Sequence, residues 1–265
     1  MELERSTALV TGASRGIGRE LARQLAADGF NLVLVGRDSA GLHGLAQELC
    51  AQHGVTVRCE AIDLSVPGAV ETLWSRIASA SIEVDILVNN AGSGFYGNVH
   101  DQDPAALERM LQLNVVTLAA LTRLALPGMM SRRRGRILNM GSLVGYQPAG
   151  PRMAASLREQ GVRRIVFPRP RCGARRKRSH RDDALAGSHR VVVRRTLGRR
   201  PLEYLSLLSQ GGSEQGRPRG IDGMKAGAAS VVPGFLTKLL ALAGRLSPRS
   251  IGVAVNRILL KEAKQ

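Results

Sequence analysis

The sequence predicts an α/β domain built on a doubly wound parallel sheet. Three observations carry that prediction. Short apolar runs recur through the first 150 residues and alternate with segments of helical period. The first run ends in a glycine-rich turn that opens directly into a helical pattern. The chain is 265 residues long, enough for one large domain with a sizeable core.

Each element can be justified in order. TALVTGAS (Thr7 to Ser14) is an apolar run ending in a glycine turn, as a buried strand does. Gly12, Gly16 and Gly18 follow with the spacing G-x-x-x-G-x-G. Ile17, Leu21, Ala22 and Leu25 then share one helix face, and Gly29 ends the helix. Strand, glycine turn and helix together form a phosphate site. Glycines let the backbone approach a pyrophosphate, and the helix N-terminus supplies amide donors and a positive dipole. A tight turn that holds no ligand is the simpler alternative. NLVLVGRD (Asn31 to Asp38) is the second strand. An acid at its end would accept hydrogen bonds from the ribose of NAD. Here Gly36 and Arg37 come first, and an arginine can instead hold the 2′-phosphate of NADP. Arg15, inside the glycine turn, adds a second positive charge. These two arginines favour NADP(H) over NAD(H), although Arg37 could be merely solvated. VTVRCEAIDLS gives a third strand ending at Asp63, VDILVNNAG (Val84 to Gly92) a fourth and GRILNMGS (Gly135 to Ser142) a fifth. Helical segments are expected at about 39–52, 67–80 and 103–130. Right-handed crossovers then make the sheet parallel.

Composition narrows the function classes. The net charge of +17 suggests a nucleic-acid binder, but its distribution does not. Between Arg152 and Arg219 stand 17 arginines and one lysine against five acids, so most of the charge belongs to one segment. That segment holds no recognition motif and no stacking aromatic beyond Phe167 and Tyr204. No run of about 20 apolar residues predicts a transmembrane helix. The opening MELERSTALV lacks a signal-peptide pattern. Cys50, Cys59 and Cys172 have no metal-site spacing, and their odd number argues against a disulfide framework. A cytoplasmic location is expected.

TGASRGIG, Asp63-Leu64, NNAG (Asn89 to Gly92), Asn114 and Ser142 fall in one order and spacing. In this the chain resembles the classical short-chain dehydrogenases/reductases over roughly residues 5 to 153. The resemblance implies a single Rossmann-type domain and a carbonyl or alcohol substrate. It implies that Gly12, Ser14, Arg15, Gly16, Ile17, Gly18 and Arg37 hold the cofactor. It also implies that Asp63 and Leu64 lie near the adenine, and that Asn90, Ala91 and Gly92 brace the sheet beside the cofactor. Asn114 would hold a water in a proton relay, and Ser142 would hydrogen-bond the substrate oxygen. A strand-end cap for Ser142 and a helix residue bonded to backbone for Asn114 are the plainer readings.

Family chemistry also needs a tyrosine about a dozen residues after the serine and a lysine four residues later. A free tyrosine titrates near 10, too high for acid–base work at neutral pH, and a neighbouring lysine lowers it. The window PAGPRMAASLREQGVRRIV contains neither residue. The three tyrosines are Tyr96, Tyr146 and Tyr204, and none is followed by a lysine four residues on. The genetic code offers a cause. Read one nucleotide late, the codons of Leu157 to Gly161 can encode Tyr-Ala-Ser-Lys, and the match runs on to Phe167-Pro168 and, after a break at Pro168, to Arg194. We therefore read 154–219 as an out-of-frame, disrupted segment. The expected organisation is a dinucleotide-binding core (1–153), this basic segment, and a returning C-terminal strand and helix (220–265). The last strand is ASVVPG, and FLTKLLALAGRL is a basic amphipathic helix expected to pack on its own domain or a second subunit. The chain as written is expected to be a short-chain oxidoreductase without turnover. The alternatives are a non-catalytic NADP-binding protein and a nucleic-acid binder using the basic segment. Homo-oligomers, usual in the family, would be weakened, and a sheet lacking a central strand would expose its edges.

Overall fold

The computed structural model describes residues 6–94, 99–141, 203–208, 217–225 and 230–231. The described strands are β1 (Thr7–Thr11), β2 (Asn31–Gly36), β3 (Val57–Ala61), β4 (Val84–Asn89), β5 (Arg136–Gly141), β6 (Glu203–Leu208) and β7 (Ser230–Val231). They form one sheet in the order β3-β2-β1-β4-β5-β6-β7, and every pairing is parallel. The helices are α1 (Gly16–Ala27), α2 (Ser39–His53), α3 (Ala69–Ser79), α4 (Pro104–Leu111), α5 (Leu118–Ser131) and α6 (Arg217–Lys225). A π-helical turn, Gln112–Thr117, joins α4 to α5. The first five strands and the helices between them lie within a few residues of their expected places.

Alternate residues of each strand feed two cores. Ala8, Val10, Leu32 and Leu34 pack with Leu21 and Leu25 of α1 and Leu42, Leu45 and Leu49 of α2. Leu9, Val33, Val35 and Leu87 face the other way, onto Leu73 and Ile77 of α3 and Leu121 and Met129 of α5. Every residue of β4 is buried, as befits the middle of a sheet covered on both faces. Its one charge, Asp85, receives the guanidinium groups of Arg132 (3.3 Å) and Arg134 (3.0 Å), because a buried carboxylate needs partners. Strand order reverses between β1 and β4. The crevice at their C-terminal ends is therefore where a ligand binds in such sheets.

One expectation needs correction. The sequence reading leaves a gap beside β5, but β6 occupies it, in register from Arg136–Glu203 to Gly141–Leu208. The run EYLSLL suits a strand, and the unpaired edge of β5 offers it a full set of backbone partners. The segment expected to be disrupted thus supplies a strand and the start of α6. Ile221 and Met224 of α6 are fully buried beside α1, and Lys225 Nζ meets Asp28 Oδ1 at 2.7 Å. The helical run Pro104–Ser131 is long and apolar enough, by length and composition, to cross a membrane. Here Leu118, Leu121, Ala125 and Met129 lie buried in the domain. The amphipathic stretch FLTKLLALAGRL lies outside the described residues.

Helices α1 and α2 are tied by ion pairs. Arg23 donates to both oxygens of Glu48 (2.7 and 2.9 Å), and Arg19 adds a third contact at 3.3 Å. The Arg23 hydrogen bonds hold the Glu48 carboxyl below the usual carboxylate range. A depressed carboxyl stabilises the fold above its unfolded pKa and loses that contribution as pH falls through the folded one. Glu48→Gln is therefore expected to lower Tm at pH 7 by about 2–4 °C, the equivalent of ~1 kcal/mol in a chain of this size. Thermal melts from pH 7 downward check this, since the gap between variant and wild type should close in acid.

Candidate cofactor site

The site begins with the backbone of the glycine turn. Gly12 (φ +67°) and Gly16 (φ +56°) both sit in the left-handed region, which L side chains rarely adopt. Gly18 has a different reason to be glycine. A Cβ there would run into the Gly12 carbonyl and the Asn90 side-chain amide. The turn and the first turn of α1 therefore close on each other without room for a methyl group.

Thr11 stitches this turn to the end of β4. Its hydroxyl donates to the Val88 carbonyl (3.1 Å) and accepts from the backbone N–H of Asn90 (2.9 Å) and Ala91 (3.0 Å). Asn90 Nδ2 returns the link by donating to the carbonyls of Thr11 (3.0 Å) and Gly12 (3.2 Å). Arg15 stands at the N-cap of α1 in an extended conformation, and no side chain caps the helix. The first amides of α1, at Gly16, Ile17 and Gly18, are thus left to an outside acceptor, and a phosphate suits them. Arg15 and Gly16 are exposed and Ser14 is half-buried.

The ends of β2 and β3 bring Arg37, Asp38 and Asp63 to one edge of the crevice. Arg37 is well exposed and reaches Asp63 Oδ2 only at 3.8 Å, so its guanidinium is open to a phosphate. Asp38 caps α2 by accepting from Gly41 N–H (3.0 Å), which engages the nearest acid in a structural bond. Asp63 Oδ1 accepts from the N–H (2.9 Å) and the hydroxyl (2.7 Å) of Ser65. Burial alone would raise the Asp63 pKa. The two Ser65 donors, with Arg37 and Arg109 nearby, overcome it and leave the carboxyl below its ordinary value. Leu64, next in the chain, is buried, and its carbonyl accepts from the Thr117 hydroxyl at 2.7 Å.

At the other end, Asn114 sits buried in the π-helical turn. Its Oδ1 accepts from Ser93 N–H (3.0 Å) and its Nδ2 donates to the Ser93 carbonyl (2.7 Å). The side chain thus fastens the loop after Gly92. Asn89 is buried between β4, β5 and α5 and donates to Asn139 Oδ1 (2.9 Å) and Thr122 Oγ1 (3.2 Å). β5 ends at Gly141. Ser142, and the window that lacks the tyrosine and lysine, lie outside the described residues.

The structure brings Gly12, Gly18, Asn90 and Ala91 together, places Arg37 beside Asp63, and sets Asn114 against the loop after Gly92. Sequence reasoning missed Thr11, Ser65, Ser93 and Thr117. A threonine closing the apolar run of β1, and one three residues after Asn114, were the only signals available.

Residues 6–156 match the family model described as short chain dehydrogenase. The chain belongs to the short-chain dehydrogenase family. It is 37% identical over 142 residues to dehydrogenase/reductase SDR family member 7B of Bos taurus, which covers 52% of this chain and 44% of that protein. It is 32% identical over 227 residues to a very-long-chain 3-oxoacyl-CoA reductase of Mycosarcoma maydis, covering 80% and 64%. This short-chain dehydrogenase spans less than two thirds of the length of these curated relatives. Among solved structures it resembles a metagenomic short-chain oxidoreductase in complex with NADP, at TM-score 0.67 and 25% identity over 87% of this chain and 98% of that one.

Proposed function

We propose that this short-chain dehydrogenase binds NADP(H) through an intact cofactor half and lacks the acid–base half that turnover requires. The observation that carries the cofactor reading is the division of labour after β2. Asp38 is engaged as the cap of α2 while Arg37 stays exposed, so the position suits a 2′-phosphate better than a ribose diol. The uncapped N-terminus of α1 and the methyl-free contact at Gly18 fit a pyrophosphate. When bound, the nicotinamide would exchange a hydride with a carbonyl or alcohol carbon. The chain's own part is to hold that cofactor. Gly16 to Gly18 would donate backbone hydrogen bonds, Arg37 would pair with the 2′-phosphate, and Asp63 and Leu64 would border the adenine. Asn114 keeps the loop after Gly92 in place.

A proton donor for the substrate oxygen is the missing part. No Tyr-x-x-x-Lys occurs anywhere in the chain. In a restored frame, a long-chain 3-oxoacyl thioester is the first substrate to try, because the Mycosarcoma maydis relative carries that activity in its name.

Calorimetric titration with NADPH and NADH tests the cofactor reading. NADPH is expected to bind at least about tenfold more tightly, the scale of one charge-assisted contact. Arg37→Ala should erase most of that difference by weakening NADPH and leaving NADH within about twofold. Equal affinities in the wild type would overturn the assignment.

A further inference from the structure

The π-helical turn carries a second loop contact whose role nothing above explains. Asn114 and Thr117 lie three residues apart in it, both buried, and each bonds the backbone of a different loop. Asn114 takes Ser93, in the loop after β4. Thr117 takes the Leu64 carbonyl, in the turn after β3. The next buried threonine behaves differently. Thr122 donates back to Leu118 of its own helix, the ordinary use of a helical threonine. Thr117 instead reaches a residue 53 positions away.

We propose that Thr117 is a positioning residue for the adenine end of the cofactor, acting by holding the Leu64 carbonyl and with it the turn that carries Asp63. The inference rests on the cofactor reading made above. Leu64 is 3% exposed, so its carbonyl has no ready access to water if the hydroxyl is lost. Within the turn, Ser65 orients the Asp63 carboxylate. Those bonds are local and set the turn's shape. The Thr117 bond is the long-range one, and it sets the turn's place relative to α5, whose Leu118 and Leu121 are anchored in the domain interior. One helical turn thus fixes loops at both ends of the crevice.

The test uses the full chain with Thr117→Val, which keeps the shape and removes the donor, and Thr117→Ser, which keeps the donor. Binding of NADPH and of 2′,5′-ADP, which carries only the adenosine end, is measured alongside Tm. Thr117→Val is expected to weaken both ligands by the same factor, about tenfold. Thr117→Ser is expected to stay within about twofold of wild type. A lower Tm with unchanged affinities would mean that Thr117 is only structural, and would overturn the proposal. So would weaker NADPH binding with unchanged 2′,5′-ADP binding, since the effect would then not pass through the adenine turn. If wild type binds neither ligand, the cofactor reading itself fails, and the positioning role with it. Should Thr117→Val not fold, Thr117→Ala against Thr117→Ser makes the same comparison.

Discussion

Gly18→Ala is expected to weaken NADPH binding by about 100-fold or more and to lower Tm by about 4–10 °C, in line with overpacking costs of ~2–3 kcal/mol. The added methyl would meet the Gly12 carbonyl and the Asn90 side-chain amide, both of which are already engaged. Neither can retreat alone. Asn90 also bonds the Thr11 carbonyl, and its N–H bonds the Thr11 hydroxyl. Relief therefore requires α1 to back away from the turn, which misplaces the amides that would meet a pyrophosphate. Gly16 provides the control. A Cβ there meets nothing within 4 Å, so Gly16→Ala suffers only the left-handed backbone, about 1–2 kcal/mol. Calorimetry and thermal melts of the two variants side by side give the comparison. Wild-type NADPH affinity in Gly18→Ala would mean that this turn does not cradle the cofactor.

The second large effect is on turnover. Purified chain, supplied with NADPH and a panel of ketones and 3-oxoacyl thioesters, is expected to oxidise NADPH no faster than a protein-free blank. A positioned general acid is worth about 10²–10⁴ in rate, and the chain lacks both the tyrosine and the lysine that would tune it. Resequencing the coding DNA from Pro148 to Met224 addresses the cause. The expected result is a frame encoding a tyrosine with a lysine four residues later. Tyr-Ala-Ser-Lys, the product of simple late reading, sets its lysine three residues after its tyrosine, one short of that spacing. Protein expressed from the corrected frame should then show NADPH-dependent reduction. Measurable reduction by the present chain would refute the loss.

The strands and helices of the first 141 residues were legible because burial repeats at short range. Continuous apolar runs in β1 and β2 mark strands buried on both faces, and the helical spacing of apolar residues in α1 states which of its faces turns inward. The glycine turn was legible for a similar reason. Gly12 and Gly16 meet a local demand, a positive φ within a few residues of the strand. Arg37 was visible too, as a basic residue directly after β2, and the structure leaves it exposed.

The remaining features depend on distant partners. Sequence placed Asn114 on the long helix, but its double bond to Ser93, 21 residues away, followed only from the approach of that helix to the loop after β4. The roles of Thr11 and Thr117 span 77 and 53 residues. A hydroxyl has no periodicity that announces its acceptor. Gly18 looked like part of the same local motif as Gly12, yet the space it lacks is taken by Asn90, from another strand. β6 is the sharpest case. Read alone, EYLSLL lies in a segment whose charge suggests no fold, and it becomes a strand because β5 presents a parallel edge to pair with. By itself, then, the sequence determined the sheet's first five strands, the glycine turn, an arginine rather than an acid directly after β2, and the absence of the tyrosine–lysine pair. Tertiary structure alone decided which loops the buried hydroxyls and amides hold together, because hydrogen-bond partners are chosen by proximity in space and not along the chain.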